Sequence, residues 1–247
     1  MVSVKEEKAL SVLLIVIIVL AVVIVALGAV VIYLWIFPGE LITEEMEYSD
    51  FTAVDVGSAF QVEITQSSSY SVIITADEKI FEKIDVTKTG NTLIISTEPN
   101  TITASALKAE ITMPELYELV LSGASKGTIQ GFSSSEPFVV ELSGASNLQM
   151  EAINVGNFEV ELSGASTLSA EGSGNDLVSV VDGASNLNLT NFPVNNSNLQ
   201  VSGASQATVN MNGTLDATVS GASTVYYIGE PTMGNIDISD SSSLNKK

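Results

Sequence analysis

Cysteine, histidine and arginine are all absent from this chain. Without Cys or His there is no thiol nucleophile, no Ser-His-Asp triad, and no ordinary ligand set for zinc, haem or an iron–sulfur cluster. No disulfide can form, so cysteine usage says nothing about the redox compartment. The missing Arg removes the usual bidentate phosphate reader. Charge acts in the same direction: 9 lysines stand against 29 acidic residues, for a net charge of −20. Lys5 and Lys8 cancel Glu6 and Glu7 within residues 1–37, so the whole deficit lies after Phe37. Such a surface is repelled by nucleic-acid phosphates, which excludes nucleic acid as a partner.

Charge is also missing from one long stretch. From Ala9 to Phe37 the chain reads ALSVLLIVIIVLAVVIVALGAVVIYLWIF. A bilayer core needs about 20 apolar residues, so residues 9–37 are expected to form a transmembrane α-helix. A buried helix of a soluble protein is rarely this apolar on every face. Tyr33 and Trp35 suit the headgroup boundary, and Pro38-Gly39 ends the helix. Lys5 and Lys8 precede the span and no Lys follows until Lys79. The positive-inside rule therefore places residues 1–8 in the cytoplasm and everything after Pro38 outside, in a single-pass cell-membrane protein. A cleavable secretory signal fits less well, since its apolar core is normally about 7–15 residues long. The segment Lys5-Glu6-Glu7-Lys8-Ala9-Leu10-Ser11 resembles the start of archaeal type IV pilin precursors, although no proline follows the serine. That resemblance implies removal of the charged segment and a pilin-like filament subunit as an alternative.

Residues 38–50 read as an acidic stalk without periodicity, and residues 51–247 as the extracytoplasmic head. Within the head, residues 119–247 are strongly repetitive. The unit is an apolar residue followed by Ser-Gly-Ala-Ser. It occurs as Ser122-Gly123-Ala124-Ser125, Ser143-Gly144-Ala145-Ser146, Ser163-Gly164-Ala165-Ser166, Asp182-Gly183-Ala184-Ser185, Ser202-Gly203-Ala204-Ser205 and Ser220-Gly221-Ala222-Ser223. Ser239-Asp240-Ser241-Ser242 is a degenerate seventh copy, and the copies recur about every 20 residues. Alternation such as Phe158-Glu159-Val160-Glu161-Leu162 marks a strand with one buried face before each corner. Each unit is thus a strand, a tight glycine corner, a second short strand and a variable loop.

Units of this length that share one corner stack into an all-β, right-handed parallel β-helix, with equivalent residues about 4.8 Å apart. An antiparallel sandwich would not require the same four residues at one point of every cycle. In the β-helix, Gly permits the bend, Ala is expected to fill the inside of the corner, and the serines to form hydroxyl ladders. Residues 51–118 are less regular and are expected to form wider first coils of the same solenoid. At the far end, Asn245-Lys246-Lys247 offers no cap, which leaves a strand edge that favours self-association.

Two stretches carry a family resemblance: Gly57-Ser58-Ala59-Phe60-Gln61-Val62-Glu63-Ile64, and Met113-Pro114-Glu115-Leu116 running into the first Ser-Gly-Ala-Ser corner. They resemble the auto-transporter adhesin head GIN domain family over about residues 50–245. The resemblance implies a β-solenoid head on an exported or membrane-anchored protein, and it brings no catalytic residues.

Serine catalysis would need a base. Ser125-Lys126 is the one adjacent Ser–Lys pair at a corner, and the same Ser recurs at the other corners without a Lys. Polysaccharide-cleaving β-helices use clustered carboxylates, but Asp182 and Asp240 are expected roughly 15 Å apart, beyond glycosidase separations. Asp216 and Asp237 are the other late candidates, and Asp176 is expected in a loop. No catalytic residue, cofactor or metal ligand is assigned; weak Ca²⁺ binding would rest on acidity alone, with no ligand loop of known spacing. The sequons at Asn188, Asn195 and Asn212 occur at chance frequency. The leading expectation is a non-catalytic binding or adhesion module for polysaccharide, cell wall or a protein ligand. Alternatives are an envelope structural or sensing protein that self-associates or binds a membrane partner, the pilin-like subunit, and a polysaccharide-active enzyme.

Overall fold

The computed structural model describes residues 20, 23–25, 27, 39–101 and 106–247. It divides into two units, Met1–Glu40 and Leu41–Lys247. The expected transmembrane and pilin-like segments lie mostly outside the described residues. Those described within the span are helical, and Leu20, Val23, Ile24, Val25 and Leu27 are exposed. Among the described residues no helix is long and apolar enough to cross a membrane.

The second unit is almost wholly β. It opens with β1 (Leu41–Met46), β2 (Ala53–Val56), β3 (Gln61–Gln66), β4 (Ser71–Asp77), β5 (Ile84–Thr89), β6 (Thr92–Thr97) and β7 (Lys108–Met113). The repeats supply β8 (Glu118–Leu121), β9 (Lys126–Gln130), β10 (Phe138–Leu142), β11 (Asn147–Asn154), β12 (Phe158–Leu162), β13 (Thr167–Ser173), β14 (Leu177–Val181) and β15 (Asn186–Val194). They continue with β16 (Ser197–Val201), β17 (Gln206–Met211), β18 (Thr214–Val219), β19 (Thr224–Ile228), β20 (Thr232–Ile238) and β21 (Ser243–Lys246). One helical turn, Glu78–Phe81, is N-capped by Asp77, whose carboxylate accepts the Lys79 N–H.

Two sheets face each other across the core. Sheet I has 11 strands in the order β1-β4-β7-β3-β9-β11-β13-β15-β17-β19-β21. Sheet II has 10, in the order β20-β18-β16-β14-β12-β10-β8-β2-β6-β5. Each repeat is one rung: a strand of sheet II, the Ser-Gly-Ala-Ser corner, then a strand of sheet I. Every rung from β8–β9 onward pairs in parallel with the next, as in Leu142↔Leu162 and Leu148↔Leu168. This is the expected solenoid of right-handed type.

Inward positions are filled by Leu, Val, Ile and Phe, nearly all fully buried. Such side chains stabilise by roughly 1.5–3 kcal/mol each relative to exposure. Phe138 and Phe158 stack one rung apart with centroids 5.9 Å apart, and Phe192 tilts against Phe158 at 5.2 Å. The residue four after each corner glycine, such as Leu148, Leu168 or Leu187, points inward.

The first coils depart from expectation in their order. β2 and β3 pair directly with β8 and β9, so the rung formed by residues 53–66 lies beneath the first repeat. The intervening chain turns back: β6 and β7 form the rung on the other side of β2–β3. Beyond it, β4 and β5 run antiparallel to β7 and β6, and β1 runs antiparallel to β4. Residues 41–46, read from sequence as stalk, thus add a strand to the head. Its unit side chains are exposed or half-buried on both faces, so no apolar alternation marked it.

Candidate ligand-binding surface

The corners are structural. The six corner glycines have φ of 72–79°. Each following Ala donates its N–H to the Gly carbonyl one rung away, from Ala145 to Gly123 through Ala222 to Gly203, at 2.7 Å throughout. Here the roles of Ala and Ser are reversed from those expected. Ala124, Ala145, Ala165, Ala184, Ala204 and Ala222 face solvent, whereas Ser125, Ser146, Ser166, Ser185, Ser205 and Ser223 are buried. At the first three corners the buried hydroxyl satisfies a carbonyl of the corner itself. Ser125, Ser146 and Ser166 each donate from Oγ to the oxygen of the first corner Ser (Ser122, Ser143, Ser163) at 2.8 Å. Further up, the Ser166, Ser185 and Ser205 N–H groups donate to Oγ of Ser185, Ser205 and Ser223. The ladder therefore joins hydroxyl to backbone rather than hydroxyl to hydroxyl.

These commitments bear on the catalytic candidates. Ser125 is fully buried with its hydroxyl donated to Ser122, while Lys126 lies exposed at the start of β9. Asp182 takes the place of a first corner Ser and accepts from Ser202 Oγ at 2.6 Å. That bond, with the Gly183 N–H, holds its carboxyl below the usual carboxylate range. Asp240 accepts the Gly221 N–H at 3.1 Å, Asp216 the Asn235 N–H at 2.6 Å, and Asp176 both the backbone and side-chain N–H groups of Asn196. Each of these four carboxylates is used to satisfy a donor of an adjacent rung. Among the described residues no three acidic groups converge on a possible metal position.

What remains available is the outside of the two sheets, and the two faces differ in chemistry. On sheet I the outward positions align in register: Asn147, Thr167, Asn186, Gln206 and Thr224 in one column, and Gln149, Ser169, Asn188, Thr208 and Tyr226 in the next, of which Thr208 and the Asn186 Oδ1 are buried. This is a flat grid of amides and hydroxyls. Short bonds pre-order parts of it, including Gln149 Nε2 to Glu151 at 2.8 Å and Thr190 Oγ1 to Asn188 Oδ1 at 2.7 Å. At its capped end Lys108 lies 3.4 Å from Glu63 and 3.0 Å from Glu110.

Sheet II is acidic and aliphatic outside. Glu141 and Glu161 are direct partners in adjacent strands, with Asp55, Glu118 and Glu159 nearby on the same face. Burial, then the charges of Glu161, Glu118, Glu159 and Asp55, raises the Glu141 carboxyl above its usual value. Val178 and Val180 stand 49% and 37% exposed beside them. Sequence reasoning did not single out this face. Its signal was the repeated Glu-Leu before two corners, at Glu141-Leu142 and Glu161-Leu162.

One cleft of about 590 Å³ opens on the capping elements, lined by Glu45, Met46, Glu47, Tyr48, Ser49, Tyr70 and Ser71. Both tyrosine hydroxyls are already donated, Tyr48 to the Val86 carbonyl and Tyr70 to that of Phe51.

Residues 50–231 match the family described as "Putative auto-transporter adhesin, head GIN domain". The chain belongs to this family. A head GIN domain thus accounts for the cap and for the rungs through β19. Solved structures agree on the fold. A "putative adhesin" from Bacteroides fragilis superposes with a TM-score of 0.80 at 22% identity, covering 84% of this chain and 97% of that one. A "putative adhesin" from Parabacteroides distasonis gives 0.64 at 15% identity, over 85% and 98%. A "putative lipid binding protein" from the same species gives 0.67 at 18%, over 85% and 97%. No curated protein matches this chain.

Proposed function

We propose that this GIN-domain chain is a non-catalytic adhesion module whose sheet I face binds extended polysaccharide or cell-wall material. The observation that carries the reading is the in-register grid of Asn, Gln, Ser and Thr on sheet I. Adjacent strands lie about 4.8 Å apart, so the grid repeats equivalent polar groups at that interval along the rod. Many weak hydrogen bonds, each worth about 1 kcal/mol net, then sum over a repeating ligand. The family's adhesin description points the same way.

In this reading residues 9–37 anchor the head as a single transmembrane helix, with residues 1–8 cytoplasmic and the head outside. Support comes from the uncharged 29-residue run, from the lysines that precede it, and from exposed apolar side chains at its described helical positions.

The described core lies wholly within residues 41–247, so this unit carries the burial that it needs to fold alone. It should be retained on insoluble polysaccharides or cell-wall preparations, with and without Ca²⁺, without generating new reducing ends. Substituting Asn147, Gln149 and Gln206, all exposed, together by Glu should abolish retention. New reducing ends would replace the adhesin reading with an enzyme, and retention indifferent to the triple substitution would remove sheet I from it. Topology has a clean test because the chain has no native Cys. Asn188→Cys in the full chain should react with a membrane-impermeant thiol reagent on intact cells, and a protected thiol would overturn the orientation.

A further inference from the structure

The two ends of the solenoid are finished differently. At the start of the head, antiparallel β4 and β5 close the stack, and Tyr48, Ile80, Phe81, Ile84 and Val86 pack against the core. At the other end nothing comparable is present among the described residues. β20 and β21 each pair on one side only, which leaves two rows of backbone N–H and C=O groups without a strand. The inward positions of this last rung are uncovered. Met233 and Ile238 are 44% and 43% exposed, whereas Leu215 and Val219, their register partners one rung below, are fully buried.

We propose that this end face is a self-association surface, occupied by the same face of a second copy in a closed two-fold pair. Charge selects both the partner and its orientation. β21 ends in Lys246, is followed by Lys247 and holds no acid, while β20 is preceded by Glu230, holds Asp237 and has no base. The two strands run in opposite directions from the corner at 239–242, so Glu230 and the two lysines lie together at the end away from that corner, where Lys246 pairs with Glu230. A two-fold axis that sets β21 antiparallel to the partner's β20 brings each lysine pair against the other copy's Glu230. The alternative, β20 against β20, would place Glu230 against Asp237 and Asp240. The favoured arrangement extends both ladders across the interface and covers Met233, Ile236 and Ile238 against their counterparts. It is isologous, so it stops at two copies.

The test is sedimentation equilibrium of residues 41–247 from micromolar to millimolar concentration. A monomer–dimer equilibrium is expected, and Met233→Lys with Ile238→Lys should leave a monomer with an unchanged circular dichroism spectrum. Glu230→Lys alone, or Lys246→Glu with Lys247→Glu, should each weaken the dimer at least about tenfold. An equimolar mixture of those two charge variants should regain it, because each then offers the other complementary ends. A protein monomeric at all concentrations, a dimer indifferent to the Met233 and Ile238 substitutions, open-ended oligomers, or a mixture that stays dissociated would each overturn the proposal. Polysaccharide retention is read separately, on the monomeric variant, so failure of one reading leaves the other intact.

Discussion

A Cβ added to Gly144 would lie 2.3 Å from the carbonyl oxygen of Gly123, the glycine at the same corner one rung below. The contact recurs up the stack at 2.4 Å, from Gly164 onto Gly144 through Gly221 onto Gly203. The oxygen that leaves no room for a side chain is the one that accepts the next rung's Ala N–H, so it cannot move aside without breaking the ladder. At these corners glycine is needed for space as well as for its positive φ.

Gly164→Ala should therefore be among the most damaging single-methyl changes in the head. The left-handed conformation costs about 1–2 kcal/mol, and the backbone clash brings the expected loss to about 4 kcal/mol or more. Gly123→Ala carries the same conformational strain, but its nearest contact is 3.4 Å, to the Ser58 nitrogen. It should cost only about 1–2 kcal/mol. Equal losses in urea denaturation of the two variants would refute the steric account.

Ser185→Ala removes the acceptor for the buried Ser166 N–H. The expected destabilisation is about 1–3 kcal/mol, the cost of stranding a buried donor. Ala184→Ser, at the neighbouring exposed position, should change stability by less than about 0.5 kcal/mol. If the two substitutions ranked the other way in thermal melts, the assignment of Ser as the inner corner residue would be wrong.

Ser179 points inward from β14 and its Oγ finds no hydrogen-bond partner. Its register neighbours on the two adjacent strands are Val160 and Leu199. Ser179→Ala should thus stabilise the head by about 1 kcal/mol, because burying an unpaired hydroxyl costs free energy. A lower Tm for the variant would show that this hydroxyl has a partner after all.

Glu141 and Glu161 oppose each other on sheet II, and the Glu141 carboxyl is raised above its usual value. A folded-state pKa above the unfolded value means that ionisation opposes folding. The penalty is full well above the folded pKa and disappears as the pH falls below the unfolded value of about 4.3. Glu141→Gln should therefore raise stability at neutral pH by roughly 0.5 kcal/mol, the scale of a like-charge cross-strand pair. The gain should shrink towards zero in acid. A gain that persisted or grew at low pH would exclude the electrostatic cause.

Much of this architecture was legible because a solenoid repeats its constraints. The glycines of Ser143-Gly144-Ala145-Ser146 and its sister corners each face the same backbone, so one local requirement was written into the sequence many times. Alternation in Phe158-Glu159-Val160-Glu161-Leu162 likewise marked the buried face of β12. The corner interior was misread because Ala and Ser are similar in size, and apolar preference alone favours Ala inside. The inward carbonyl of Ser122 reversed that preference, and no carbonyl direction is visible in a sequence. β1 was missed because an added edge strand buries little and needs no alternation.

By itself, then, the sequence determined the rung: its length, its corner glycine, the inward residues of its strands and a strongly acidic net charge. The first three follow from contacts between residues close in the chain or between identical positions of successive repeats. Tertiary structure alone decided which rungs are neighbours. The pairing of β2 with β8, 65 residues later in the chain at Asp55↔Val120 and its neighbours, depends on which of the apolar strands offers a matching edge once the chain has turned back. It also decided that amides and hydroxyls line up in columns on sheet I while Glu141 and Glu161 meet on sheet II beside Val178 and Val180, because residues about 20 apart become neighbours only when the rungs are stacked.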